Sequence, residues 1–511
     1  MLAARSCWLA LLALLALPGR AAAAAPDLAA PATAVRAAQG SFAEYLAFLS
    51  LPSDSIVAAD IQRNADFLER AFAKRGFAAR QLANDGKPLV YAEFARARPG
   101  ARTILFYMHF DAQPVVPTEW AQRSPWTPVV KERTAAGQWQ EVDSGRLNAE
   151  PLDPELRVFA RCAADDKAPI MMFLAAFDAL NAAGVSPAFN VKVLLDSEEE
   201  RGSPSMARVA LRNRELLRTD AIVIHDGPRH ASNRPTLVFG NRGVATVTLT
   251  VFGPRAPLHS GHYGNYVPNP AMRLAQLLAS MKDDRGRVLV KGYYDRVRLT
   301  AADRRLLAAT GDDEAAIRQR VGIARAEAVG GNYQEALQYP SLNVRGMASA
   351  SVGTKAANIV PHVATAELDL RTTPEAPPGY LFARLEAHVR QQGYHLVAGE
   401  PSDAERAAYD KLALLTLSGG SQAERTPLDS PLGAWAARAL ESTSPGTPPV
   451  RIRMMGASVP TDSLVEVLQV PFVIAPLVNA DNNQHAFDEN MRVGHYVDGV
   501  RTLLVLLQAP Y

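Results

Sequence analysis

Two aspartates stand side by side in the stretch Val158 to Pro169, VFARCAADDKAP. They are Asp165 and Asp166, followed at once by Lys167 and then by an apolar run from Ile170 to Leu180. Adjacent carboxylates repel each other and lose hydration wherever they are partly buried. A fold that keeps them at the mouth of its core therefore has reason to hold a cation there, and Asp165 is read as a bridge between two metal ions. Further donors suit that chemistry: His109 and Asp111 in MHFD, Glu199 and Glu200 in DSEEE, Asp226 in IHDG, and His485 in NNQHAF. Zinc takes imidazole and carboxylate, and keeps a position open for water when it is catalytic. Two such ions about 3.5–4 Å apart can share a carboxylate and a hydroxide. The ligand set read from the residues is thus His109, Asp165, Glu200, Asp226 and His485. Asp111, two places after His109, suits the oxygen that orients a metal-bound imidazole. Glu199 and Glu200 are neighbours, and neighbours on an extended segment point opposite ways. One can bind metal while Glu199 faces the attacking water as general base. Taken singly, each of these residues is more often a solvated turn charge or a satisfied structural group. Their recurrence after successive strands favours the metal.

The elements that must position them are legible from periodicity. Thr103 to Tyr107, Asn190 to Leu195 and Ala221 to Ile224 are short continuous apolar runs, the pattern of strands buried on both faces, and each ends in an acid or a histidine. Helical spacing covers Ser41 to Arg80, broken at Leu51-Pro52-Ser53-Asp54, and the run after Lys167 reads as a buried helix. The expectation is an α/β, doubly wound, mostly parallel sheet whose carboxyl edge carries the site. After Pro235 the character changes. Thr236 to Phe239, Ala245 to Phe252, Thr365 to Arg371 and Lys411 to Leu417 read as strands, with helices at Pro270 to Met281 and Leu381 to Arg390. That order suits an inserted α+β ferredoxin-like lid. From about Asp429 the first character returns, with helix Leu432 to Leu440, strand Phe472 to Pro476 and helix Val493 to Leu507. The predicted organisation is a catalytic domain over 41–235 and 429–511, with a lid or dimerisation domain over 236–428. Residues 129 to 156 read as a polar surface excursion.

Composition sets the class. A chain of 511 residues is too long for one core, and 48% apolar with 21% charged residues describes an ordinary globular protein. Arg5, the apolar run Cys7 to Leu17 and the following alanines form a secretory signal peptide over residues 1–25, too short in its apolar part to span a bilayer. Residues 26–40, rich in Ala and Pro, are expected to be a disordered linker. Export predicts a periplasmic or secreted protein. Formal charge is +2, and removing Arg5 and Arg20 leaves 52 basic against 52 acidic residues, so neither nucleic acid nor an anionic membrane is implied as partner. The one cysteine after the leader, Cys162, permits no internal disulfide, and without a base and an orienting partner it reads as a small buried residue.

The motifs MHFDAQPV, ARCAADDKAP, EERGSPS, IHDG, LHSGHYGN and NNQHAFDEN, in that order from Ser41 to the C-terminus, carry a resemblance. The chain resembles the dizinc exopeptidases that include carnosinase-like dipeptidases, carboxypeptidase G and aminoacylase-1. The resemblance implies two Zn2+ per subunit (with Mn2+ or Co2+ as alternatives) and hydrolysis of an amide bond next to a free carboxylate, through a zinc-bridging hydroxide activated by Glu199. It implies a cis peptide between Asp165 and Asp166. His259 would reach the scissile carbonyl, in many members across a homodimer formed through the lid. Arg371 would hold the substrate carboxylate, and Asn358 and Ser458 would line its pocket. Small peptides and N-acyl amino acids remain rival substrates, and a non-catalytic metal or peptide-binding homologue is the other class. Where the family has Gly-Arg-Gly and a glycine after the lysine, this chain has Ala160-Arg161-Cys162 and Ala168.

Overall fold

The computed structural model describes residues 28–94, 100–444, 446–456 and 462–511. The proposed leader and Ser458 lie outside the described residues. An eight-stranded sheet forms the larger layer. Its centre is four parallel neighbours, in spatial order Asn190–Asp196, Thr103–His109, Ala221–Ile224 and Phe472–Ile474. Their Val, Ile, Leu and Phe side chains are buried on both faces, as the continuous apolar runs require. Antiparallel strands Leu89–Phe94 and Ala78–Leu82 extend one side. On the other side Thr236–Val238 pairs with Val450–Ile452. Thr236–Val238 thus belongs to this sheet, and not to the lid where its alternation placed it.

Helix Lys167–Ala183 is buried nearly all round, with Ile170 through Phe177 inaccessible. It packs against helices Pro31–Leu49 and Val493–Gln508. The first of these begins ten residues before the helical reading at Ser41, and corrects the expectation of a disordered linker for residues 31–40. Proline at the first turn and alanine in the interior are helix-forming choices, and Ala34, Ala38, Phe42, Tyr45 and Phe48 supply an apolar face that is buried. Composition concealed the part of that stripe made by Ala34 and Ala38.

The inserted lid has the strand order Ser341–Ala348, Val363–Thr372, Gly243–Phe252, Leu412–Ser421, antiparallel throughout, with His395–Leu396 added in parallel at one edge. Helices Pro270–Met281 and Pro378–Gln391 cover one face, as a ferredoxin-like sandwich demands. Strand Ser341–Ala348 was not anticipated. Its residues are mostly exposed at the sheet edge, so the alternation that marks a half-buried strand is missing. A two-stranded ribbon, Gly240–Asn241 with Glu424–Arg425, carries the chain into and out of the lid. The supposed surface excursion contains a hairpin, Val129–Arg133 with Trp139–Val142, joined to Arg157–Phe159 and Asn490–Arg492 in a four-stranded sheet. That sheet ties the segment before Asp165 to the segment after His485. Among the described residues no helix is long and apolar enough to cross a membrane.

Candidate metal centre

The cluster forms where the four parallel strands end. His109 is the last residue of its strand, and Glu199 and Glu200 follow Asp196 in a 3-10 turn closed by Gly202 at φ 80. Asp226 follows Ile224, and His485 lies in the loop after Phe472–Ile474. Asp165 enters from the small sheet. Its peptide to Asp166 is cis, as the resemblance implied. His109 Nε2 lies 2.9 Å from Asp165 Oδ1, and His485 Nε2 lies 3.0 Å from Asp165 Oδ2 and 3.1 Å from Glu200 Oε2. From His109 Nε2 it is 3.9 Å to Glu199 Oε2 and 4.0 Å to Asp226 Oδ1. The donors fall into overlapping sets within 4.8 Å: His109, Glu199 and Asp226; Asp165, Glu200 and His485; and Asp165, Asp166 and Asp226. All five residues read as ligands therefore converge, with Asp165 between the two histidines.

Asp111 is fully buried, 3.4 Å from His109 Nδ1, and accepts the backbone N–H groups of Glu199 and Glu200 at 3.0 Å each. One carboxylate thus orients a histidine and fixes the acidic turn. Gln113 donates to Glu200 Oε2 at 2.9 Å.

A residue that sequence reasoning passed over holds the Asp165 turn. Glu489 is buried and accepts from Arg161 Nη1 at 2.9 Å, and from the backbone N–H of Cys162, Ala164 and Asp165 at 3.1, 2.9 and 3.0 Å. The available signal was its place in NNQHAFDEN, four residues after His485. The departures at Ala160, Cys162 and Ala168 are absorbed. Cys162 takes the left-handed φ of 63° that glycine would favour, and all three side chains are fully buried. Behind the turn, Lys167 Nζ donates to the carbonyls of Phe48 and Leu51, and the Tyr45 hydroxyl donates to that of Ala163. The first helix, through Tyr45 and Phe48, thus braces the site.

Crowded carboxylates set the electrostatics. Burial first, then the charges of Asp226, Glu200 and Asp165, push Glu199 well above the usual carboxylate range. Burial raises Asp226 to about 6. The bonds to Asp165 and Glu200 lift His485 to about 10. Without a cation, such a set can persist only by taking up protons. Imidazole and carboxylate donors converging on common points fit divalent zinc. The fit also explains His109 Nδ1, which lacks a hydrogen-bond partner of good geometry, because a metal on Nε2 would fix the tautomer that turns Nδ1–H toward Asp111.

His259 pairs with Ile359 in the ribbon Leu258–His259 with Ile359–Val360, and Asn358 lies one step beyond it, where Ser260 N donates to Asn358 O at 3.0 Å. Both are exposed on the lid, and neither bonds to the cluster. Arg371 stands half-buried near the end of lid strand Val363–Thr372, its Nε 3.8 Å from Asp369. His225, beside Asp226, turns away to Ala475 O at 2.8 Å and stacks on Phe106, and burial lowers it to about 4.

The family model "Peptidase family M20/M25/M40" matches residues 105–509. The chain is 23% identical over 480 residues to the Cys-Gly metallodipeptidase DUG1 of Candida albicans, covering 90% of this chain and 91% of that one. It is 24% identical over 422 residues to the Beta-Ala-His dipeptidase of Mus musculus, covering 81% and 77%. The structure of the M20 family metallo-carboxypeptidase Sso-CP2 from Sulfolobus solfataricus superposes with a TM-score of 0.70 at 27% identity, covering 91% of this chain and 98% of that one. With the fold, the strand-end cluster and the matched span in agreement, the chain belongs to peptidase family M20/M25/M40 and is a metal-dependent hydrolase.

Proposed function

We propose that this chain is a dipeptidase that hydrolyses the amide bond of a dipeptide, or a similar small substrate with a free carboxylate. The observation that carries this is the convergence of His109, Asp165, Glu199, Glu200, Asp226 and His485 within a few ångströms. The activities named for the Candida and mouse relatives support it. His109 and Asp226 would hold one Zn2+, Glu200 and His485 the other, with Asp165 between them; Mn2+ or Co2+ would suit the same donors. When bound, such ions polarise a carbonyl and bring water into the reactive range at neutral pH. Glu199, its carboxylate 3.9 Å from His109 Nε2 and its side chain only 13% exposed, would take the proton of the attacking water and pass it to the leaving nitrogen once cations neutralise the cluster. Asp111 fixes the tautomer of His109. Arg371 offers a planar fork for the substrate carboxylate, and His259 and Asn358 would complete the pocket from the lid; the resemblance would add Ser458.

Closing the lid over a small substrate suits a homodimer, since edge strand Ser341–Ala348 presents Val344 and Met347 to solvent. The leader directs the chain to the periplasm or outside. Gel filtration and N-terminal sequencing of the exported protein test these two points. For the chemistry the test is Glu199→Gln, assayed on dipeptides beside N-acetyl amino acids. The variant should keep its metal and lose turnover by 10²-fold or more, and an equally active variant overturns the assignment of the base. Preference for N-acetyl amino acids overturns the substrate class alone.

A further inference from the structure

Two of the deeply buried arginines in the catalytic domain hold carboxylates at close range. Arg75 grips Asp178 with Nε at 3.0 Å and Nη2 at 2.7 Å, and Glu44 at 2.8 Å. Arg161 meets the buried Glu489. Arg229 differs. Its side chain is 3% exposed, yet the ion pair it makes is a loose one of 3.5 Å to Asp498, a carboxylate that is itself 59% exposed. Its Nε, like that of Arg161, has no hydrogen-bond partner, so the difference lies in the weak, exposed counter-charge. Burying a guanidinium with so little compensation is costly, and the neighbours do not remedy it. Arg229 lines a polar cavity of about 260 Å³ together with Arg234 and Arg501. Arg234 donates to the carbonyl of Pro448, and its Nε is also buried without a partner. Arg501 donates to Ala29 O at 2.8 Å. Among the described residues neither Arg234 nor Arg501 meets a carboxylate. Three guanidinium groups against the one carboxylate of Asp498 leave a local charge of +2 around one small cavity, in a chain whose entire formal charge is +2.

We propose that this cavity binds a small tetrahedral oxyanion: phosphate, or the phosphoryl group of a phosphomonoester. Guanidinium forks match such oxygens in pairs, and Asn233 and Thr447 at the rim add amide and hydroxyl donors. The cavity is smaller than the roughly 300–1,000 Å³ typical of sites for larger organic ligands, so the charged group alone is enclosed. The anion adds acceptors for the Arg229, Arg234 and Arg501 guanidinium groups that line the cavity, where the exposed Asp498 carboxylate is the one counter-charge among the described lining residues. The site is independent of the peptidase reading, because none of its residues belongs to the metal cluster.

The test is calorimetric titration of inorganic phosphate into the metal-loaded protein at matched ionic strength, with chloride as the control. Thermal melts run alongside, and the variants are Arg234→Gln and Arg501→Gln, singly and together. Saturable binding is expected, with a rise in melting temperature that chloride does not give. The double variant should bind at least tenfold more weakly while hydrolysing dipeptides with unchanged kcat/KM. Phosphate held at the metal centre would survive these substitutions, so equal affinity in the double variant overturns the proposal, as does a phosphate effect no larger than chloride's. Glycerol 3-phosphate separates the sources. Binding equal to phosphate marks the phosphoryl group of a larger molecule, exclusion marks the free ion, and either supports the site provided the double variant abolishes it.

Discussion

Glu489 offers the sharpest test of how the site is built. Its carboxylate accepts four hydrogen bonds, from Arg161 and from three backbone N–H groups of the turn that ends in Asp165. In Glu489→Ala the Arg161 guanidinium, 3% exposed, loses its ion-pair partner. Breaking a buried pair from one side costs about 3–5 kcal/mol, and each stranded N–H about 1–3 kcal/mol more. Water entering the vacated space recovers most of the second loss, so about 4–5 kcal/mol is expected in all. Against a stability of about 5–15 kcal/mol the protein stays folded, with a melting midpoint lower by roughly 10 °C. Glu489→Gln keeps the shape and one acceptor oxygen but turns an NH2 toward N–H donors, so it should lie between the two. The loosened turn misaims Asp165, and metal affinity should fall about 10–100-fold, as for other outer groups that orient ligands. Urea melts and competition with a chelator measure both effects. An alanine variant with wild-type midpoint and wild-type metal affinity would show that Glu489 does not hold the turn.

Two other outcomes follow from the same structure. Asp111→Asn presents an amide N–H2 to the backbone donors of Glu199 and Glu200, and should weaken metal binding about 10–100-fold in chelator competition; unchanged affinity would refute its orienting role. His495, held down at about 3 by burial and then by Arg229 and Arg492, stays neutral in the fold but takes up a proton near 6.5 when unfolded. Its folded pKa is depressed, so its contribution is intact above pH 6.5 and is lost as pH falls toward 3, at up to about 1.4 kcal/mol per pH unit. Relative to wild type, His495→Asn should flatten the acid limb of stability against pH in urea melts, and parallel limbs would contradict this.

The parallel core and the cluster were legible because the relevant signals are local. A buried strand is a continuous apolar run, and a donor placed just past its end is carried to the sheet edge by the fold itself, as with His109, Glu200 and Asp226. Glu489 escaped notice because its importance lies in backbone donors more than 320 residues away in sequence, and spacing gives no hint of them. The start of helix Pro31–Leu49, up to residue 40, was not legible because alanine-rich composition suits both a linker and a packed helix, and the aromatic stripe begins only at Phe42, inside the segment whose spacing reads as helical. Strand Ser341–Ala348 was missed because an edge strand with little burial has no alternation to read. Thr236–Val238 was assigned to the lid because three residues cannot reveal which sheet they join.

The central claim is that Asp165 holds divalent metal together with two histidines and two acids at the strand ends. Metal content per chain, measured by mass spectrometry beside dipeptide turnover for wild type and Asp165→Asn, tests it most directly. Two divalent ions per wild-type chain are predicted, falling to one or none in the variant with hydrolysis abolished. A variant that keeps both ions and its turnover would contradict the claim.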